Sequence, residues 1–223
     1  MKLSDIIKSR ISTRSFLDKP VSEEQVRGLL DIARWSPSGG NLQPWRVHVV
    51  MGDARARLIE TVKNAIADNP FADEAELQIY PPKLADPWRA RRSNLAEEMY
   101  ATLNIPREDK AARLQWLLSN YEFFGAPVGV FFSLDRRFDK GQWAHLGMFM
   151  QTLALAAEEQ GLATCMQEAW TARAKTVSAF LDLGEHEQLY CGMALGFADK
   201  DAPVNNWRST RVRVDEFTSF IKE

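Results

Sequence analysis

Apolar and polar residues alternate along this chain with two periods, and the switches between them mark out its elements. Leu3 to Arg10 has the spacing of a short helix. Ser22 followed three residues later by Gln25 is a capping box, and the apolar face Val26, Leu29, Leu30 and Ala33 behind it predicts a second helix. That helix runs into the loop Ser36-Pro37-Ser38-Gly39-Gly40-Asn41-Leu42-Gln43-Pro44-Trp45, and residues 46–51 then read as a buried strand. Gly52-Asp53 predicts the cap of a helix carrying Leu58, Ile59, Val62 and Ile66. Residues 128–134 are apolar, as in a strand buried on both faces. The stretch 142–160 is apolar nearly all round and meets Gly161 at the C′ position. Such a helix must be enclosed on all sides, in the middle of the core or at a subunit interface. Two further strands are predicted at 163–167 and 189–196, with a helix from about 171 to 183 between them. Helices alternating with apolar strands imply a sheet covered on both faces.

Two regions depart from this rhythm. Residues 69–124 are interrupted by Pro81-Pro82 and Pro87, hold the run Trp88-Arg89-Ala90-Arg91-Arg92, and form an excursion from the core with about two helices. Leu114, Leu117, Leu118 and Tyr121 keep helical spacing up to Phe123-Phe124-Gly125, where Gly125 and Pro127 stop the helix. The excursion reads either as a cover for a site or as ordinary helical packing. The tail, 202–223, carries Pro203, Val204, Trp207, Val212, Val214, Phe217, Phe220 and Ile221, and is too apolar to float free. It must dock on its own subunit or on another.

At 223 residues, the chain suits one well-buried domain. Its 28 lysines and arginines against 30 acidic residues leave a net charge of −2, so the total favours neither nucleic acid nor an anionic membrane as partner. Any anion site must be local. Cys165 and Cys191 have no CxxC spacing and only three histidines to help them, which argues against zinc and fits a reducing cytosol. No run approaches the roughly 18 apolar residues of a membrane span, so the expectation is a soluble cytoplasmic protein.

Three clusters are chemically suggestive. Arg10-Ile11-Ser12-Thr13-Arg14 sets two guanidiniums around two hydroxyls, a combination suited to clamping an anion. Arg208-Ser209-Thr210-Arg211 repeats that grammar near the other end. Taken alone, each reads first as a solvated surface patch, whereas the two together could hold one phosphate from both sides. The loop at 36–45 offers Asn41 and Gln43, whose amides suit a heterocycle that mixes donors and acceptors, and two glycines permitting close approach. It could also be only a helix stop and turn. His48, His145 and His186 suggest no Ser–His–Asp or Cys–His arrangement by spacing, and Cys165 in a buried strand reads as a small hydrophobe. An enzyme of this kind would draw its reactivity from a bound cofactor.

The motifs Arg10-x-Ser12-x-Arg14 with Phe16, Ala33 to Trp45, Gly161-Leu162-Ala163-Thr164-Cys165, and Ala194-Leu195-Gly196-Phe197 leading to Asn205 and Arg208-x-x-Arg211 occur in this order. Together they resemble the FMN-dependent nitroreductase superfamily, nearly end to end. The resemblance implies a single α+β domain over 1–223, a central mixed and mostly antiparallel sheet flanked by helices, and an intertwined homodimer with FMN at its interface. By resemblance Arg10, Ser12 and Arg14 hold the FMN phosphate and ribityl chain, with Arg211 and Arg208 closing from the tail. Ser38, Asn41 and Gln43 meet the flavin from the partner subunit, and Cys165, Met166 and Gln167, leading to Glu168, lie along the flavin edge. Gly40 and Phe124 fall to the substrate side. The helix at 142–160 becomes an interface helix, and the tail an arm around the second subunit.

The implied reaction is ping-pong: NAD(P)H passes a hydride to flavin N5 and leaves, and an acceptor takes its place. The excursion at 69–124 looks like that of members acting on nitroaromatics such as nitrobenzoates, and quinones are further expected acceptors. Iodotyrosine deiodinases carry a lid in the same region, where Glu97, Glu98 and Tyr100 leave reductive dehalogenation open, although Gln43 stands where a carboxylate would be expected. A flavin-binding protein without turnover is the third reading.

Overall fold

The computed structural model of the chain describes residues 2–73 and 76–222. Four strands form one sheet: β1 (Arg46–Met51), β2 (Val128–Asp135), β3 (Ala163–Gln167) and β4 (Glu187–Gly196), in the order β1-β2-β4-β3. Every pair among them is antiparallel. The parallel component expected of a mixed sheet is confined, among the described residues, to a single bridge between Ser12 and Thr164 on the outer side of β3.

Among the described residues seven α-helices surround the sheet: α1 (Leu3–Ser9), α2 (Glu23–Ala33), α3 (Gly52–Asp68), α4 (Trp88–Thr102), α5 (Lys110–Leu118), α6 (Lys140–Glu159) and α7 (Ala174–Phe180). Side chains of β2 divide between the two faces with the period of two that a strand imposes. Val128, Val130, Phe132 and Leu134 pack with α2 and α6, whereas Phe131 joins Leu58 and Val62 of α3, Val177 of α7, Phe123 and Trp170. The sheet is therefore covered on both sides, as the apolar strands require. In α6, Leu146, Phe149, Met150, Leu153, Ala154, Ala156 and Ala157 are buried, while Met148 stays exposed. Gly161, with φ of +74°, ends that helix at the expected place.

The capping box of α2 forms as read, with Ser22 Oγ accepting from the Gln25 N–H at 3.1 Å and Gln25 Oε1 accepting from the Ser22 N–H at 2.9 Å. Other expectations need correction. The N-cap of α3 is Met51, with no side-chain cap, and Asp53 lies inside the first turn. The helix expected from about 171 to 183 is a 3-10 segment, Glu168–Arg173, followed by the short α7. In the excursion α5 ends at Leu118 and the chain goes on as a 3-10 segment, Ser119–Gly125, that stops at Gly125 as expected, but Phe123, Phe124 and Gly125 all take positive φ. Leu114 and Leu117 are exposed. Two aromatic residues in the left-handed region are costly, and packing holds them there. The Phe123 ring fills the space over Gly129, where an added Cβ would lie 2.3 Å from Cζ.

One polar network bridges three strands. His48 Nε2 donates to Glu187 Oε1 at 2.6 Å, and the Ser133 hydroxyl donates to the same oxygen. A serine, a histidine and a glutamate thus meet, yet the carboxylate takes the serine proton and Ser133 is fully buried, so the set ties strands together and presents no nucleophile. Burial pushes the Glu187 carboxyl up, but the Ser133 hydroxyl and then His48 outweigh it and hold the group below its ordinary value of 4.5. A carboxyl lowered in the native state adds stability above its unfolded pKa and loses it as pH falls through the native one. Glu187→Gln should therefore unfold with a shallower dependence on pH below about 4.5 than the parent. Denaturant titrations at several acidic pH values check this, and equal slopes would contradict it.

Candidate functional site

The segment after α1 crosses the open edge of β3. Thr13 N–H donates to the Thr164 carbonyl at 3.0 Å, Leu17 N–H to the Phe197 carbonyl at 2.9 Å, and Asp199 N–H to the Ser15 carbonyl at 3.0 Å. Residues 12–17 are thus stitched between β3 and the chain leaving β4. This backbone frame carries Ser12 and Arg14 along the edge of β3, with Arg10 just before them at the C-terminal cap of α1. Burial raises the Cys165 thiol, opposed by Arg14, Arg10 and a hydrogen bond from Ser12.

The tail returns to the same place. Arg208 Nη1 donates to the Ser9 carbonyl at 2.5 Å, so the two arginine clusters, distant in sequence, converge at the end of α1. Arg211 does not join them: its Nη1 turns back on Ser209 Oγ at 2.6 Å and on the Ser209 and Thr210 carbonyls. Among the described residues, Arg10, Arg14, Arg208 and Arg211 have no carboxylate within ion-pair distance. The Nε of Arg10 is buried without a hydrogen-bond partner. Buried donors are ordinarily satisfied, and a cationic cluster lacking an internal counter-charge is built to receive an anion from outside.

The loop at 36–45 lies elsewhere. Ser36 Oγ donates to the Ala33 carbonyl at 2.7 Å and shares a hydrogen bond with Thr152 Oγ1 at 2.9 Å, which fastens the loop to α6. Ser38 Oγ accepts from the Gln43 N–H at 2.9 Å, and Gln43 Nε2 donates to the Asn41 carbonyl at 3.2 Å. Gly40, Asn41 and Gln43 have φ of +61°, +54° and +50°, and Gly39 to Gln43 are exposed. The loop enters β1, on the opposite edge from β3. The Ser12–Thr164 bridge is level with Leu195, Val128 and Met51, whereas the loop joins at Arg46, the other end of β1. With strands about 4.8 Å apart and a rise of about 3.3 Å per residue, clamp and loop are at diagonal corners, roughly 25 Å apart.

Strand β3 runs from the clamp. Cys165 and Gln167 turn to the α3 and α7 side, and Met166 packs on the α6 side. Gln167 is occupied internally, donating to the Asn120 carbonyl at 2.8 Å and accepting from Trp170 Nε1 at 3.3 Å. Just beyond, burial raises the Glu168 carboxyl, which accepts from the Tyr190 hydroxyl at 3.4 Å, and the Tyr190 hydroxyl is itself pushed up to about 12.

The arginines of the run in the excursion each have a partner. Arg89 pairs with Asp86 at 2.5 Å, Arg92 lies over the Tyr80 ring at 4.4 Å, and Arg91 reaches Glu216 of the tail at 3.9 Å. Glu97 is gripped by Arg113 through two bonds of 2.9 and 2.8 Å, and Arg113 also covers Tyr100 at 4.2 Å. Phe124 is only 8% exposed and packs against Trp116 at 5.7 Å. Sequence reasoning did not single out Trp170, the centre of one core face, because a lone tryptophan carries no periodic signal. Asn205, named there only as part of the tail motif, bonds three main-chain groups around the clamp. No helix among the described residues is long and apolar enough to cross a membrane.

Comparison with known proteins shows what the chain as a whole is similar to. The chain is 37% identical over 216 residues to a 4-nitrobenzoate reductase of Pseudomonas putida, covering 97% of this chain and 94% of that one. It is 34% identical over 221 residues to a nitrobenzene nitroreductase of Ectopseudomonas oleovorans, covering 99% and 97%. The crystal structure of an FMN and NADPH-dependent nitroreductase, NfnB from Sphigopyxis sp. strain HMH, superimposes with a TM-score of 0.96 at 40% identity over the whole of both chains. The sequence profile of the nitroreductase family matches residues 7–197, and the chain belongs to that family.

Proposed function

We propose that this protein is an FMN-dependent oxidoreductase that uses NAD(P)H to reduce nitroaromatic acceptors, with quinones as further acceptors. One observation of the structure carries the reading: the cluster of arginines at the β3 edge with no counter-charge among the described residues and with the Arg10 Nε buried and unpartnered. These residues fit a phosphate-bearing cofactor. Arg10, Ser12, Arg14 and Arg208 would hold the phosphate and ribityl chain, and Arg211, exposed on the same tail, would close on the phosphate once released from Ser209. When bound, FMN supplies the two-electron chemistry. The chain's own residues bind, orient and enclose. Cys165, Met166 and Gln167 give the flavin a stiff edge, because their side chains are committed to the core. That relatives of similar length reduce nitrobenzene and 4-nitrobenzoate supports a nitroaromatic acceptor.

The site is shared between two copies. Ser38, Asn41 and Gln43 stand at the opposite corner of the sheet from the clamp, so a flavin held by one copy's clamp meets the loop of the other. The tail supports the same reading: Val204 is buried, but Val214, Phe217, Phe220 and Ile221 are exposed on the single chain, the last at 89%, as an arm awaiting a second subunit would be. Helix α4 packs against the turn Pro203–Asn205, which brings the excursion to the clamp side, where Gly40 of the partner and Phe124 would border the acceptor. Dilution below the dimer dissociation constant should release the flavin, measured as recovered FMN fluorescence. Retention of flavin by monomers would contradict the shared site.

Dehalogenation draws no support from the excursion, since Glu97 and Tyr100 are already engaged by Arg113. Steady-state rates with NADH and NADPH against nitrobenzene, 4-nitrobenzoate, a quinone and iodotyrosine test the assignment. Nicotinamide oxidation that requires both FMN and a nitroaromatic is expected. Turnover with iodotyrosine alone, or with none of these, would overturn it.

A further inference from the structure

Asn205 is 8% exposed and makes three bonds to main chain. Its Oδ1 accepts from the Arg14 N–H at 2.8 Å, and its Nδ2 donates to the Ser15 carbonyl at 2.8 Å and to the Asp199 carbonyl at 2.7 Å. The strand-like segment explains why a side chain is needed. Thr13 turns its N–H to β3, so the next N–H, that of Arg14, points the other way, where no strand lies. Left alone it would be a costly unpaired donor. Asn205 fills that place, and three residues later the same stretch of chain delivers Arg208 to the Ser9 carbonyl.

We propose that Asn205 is a positioning residue of the anion clamp, fixing the Arg14 main chain and the path of the tail to Arg208, and so setting affinity for the FMN phosphate without touching the cofactor. The inference rests on the reading of Arg10, Ser12, Arg14 and Arg208 as the phosphate site. Placement matters because displacements of about 1 Å in a supporting shell weaken a site severely. Both guanidiniums hang from backbone that Asn205 ties, so loosening this one side chain frees two of the charges at once.

The test compares FMN with riboflavin, which has the same ring and ribityl chain and no phosphate, by flavin fluorescence quenching on the full-length apo-protein. Asn205→Ala should weaken FMN about tenfold or more, the scale of losing a buried bond to a charged group's support, and leave riboflavin within about twofold. Asn205→Ser, which keeps a hydroxyl for one of the three bonds, should fall between parent and Asn205→Ala, and it carries the test if the alanine variant does not fold. Equal weakening of FMN and riboflavin, or no change in either, would overturn the proposal. Arg14→Ala measured alongside separates the two possible failures. Loss of the preference for FMN over riboflavin in Arg14→Ala but not at Asn205 overturns the positioning role alone, and preservation in both overturns the phosphate assignment with it.

Discussion

Trp170→Ala should destabilise the fold by about 3–5 kcal/mol, the range for removing a fully buried tryptophan. The site offers little room for collapse. Trp170 is 0% exposed and packs edge-on to Tyr121 and Phe131, with ring centroids 5.2 and 5.0 Å away, and against Phe123 at 4.7 Å. The strand beneath is shaped around it: an added Cβ at Gly192 would lie 2.2 Å from its Cδ1. Deleting the indole leaves a cavity, dissolves three aromatic contacts and strips Gln167 Oε1 of its donor. It also frees Phe123, whose left-handed backbone is held only by what surrounds its ring. For a chain of this size the loss corresponds to a fall in melting temperature of roughly 6–20 °C. Trp170→Phe, which keeps most of the volume and loses the N–H, should cost about 1–3 kcal/mol. Thermal unfolding of both variants checks this, and a fall below about 2 °C for Trp170→Ala would show that this face of the core is not organised around the indole.

Arg14→Ala should weaken FMN binding by about 1.5–3 kcal/mol, the worth of a charge-assisted hydrogen bond. In dissociation constant that is a factor of about 10 to 150. The fold should barely notice. The Arg14 side chain makes one hydrogen bond of its own, from Nη1 to the Ser12 carbonyl at 3.3 Å, and its structural tie runs through its backbone N–H to Asn205, which alanine retains. Removing a cation from a cluster without counter-charge should even relieve repulsion in the apo-protein. The expected signature is therefore a large loss of flavin retention on gel filtration with an unchanged apo-protein melting temperature. Full retention of flavin would remove Arg14 from the site.

Much of this architecture was legible in sequence because local rules governed it. The capping box at Ser22, the two-face burial of β2 and the left-handed glycine ending α6 each follow from residues within one element. Where tertiary packing overrode local preference, the sequence misled. Leu114, Leu117 and Leu118 suggested a helix running to Gly125, but Phe123 is drawn into the core over Gly129 and the chain turns left-handed to reach it. The arginines of α4 stood out in sequence only as a run, and each has found a partner that spacing could not reveal. The clamp was visible as two arginine clusters, and only the path of the chain shows that Arg208 meets the first while Arg211 does not. Ser133, His48 and Glu187 come together through strand register alone. Asn205 stood in the tail motif without a role of its own, since two of its three bonds go to main chain almost two hundred residues away.

The central claim is that one flavin, held by this clamp, takes electrons from NAD(P)H and gives them to a nitroaromatic. Anaerobic mixing of the FMN-loaded protein with NAD(P)H, followed by one equivalent of 4-nitrobenzoate, tests it in a single cuvette through the yellow flavin absorbance. Bleaching on the first addition and recovery of colour on the second are predicted. A flavin that dithionite bleaches but neither NADH nor NADPH does, or that stays bleached in the presence of the nitro compound, would contradict the account.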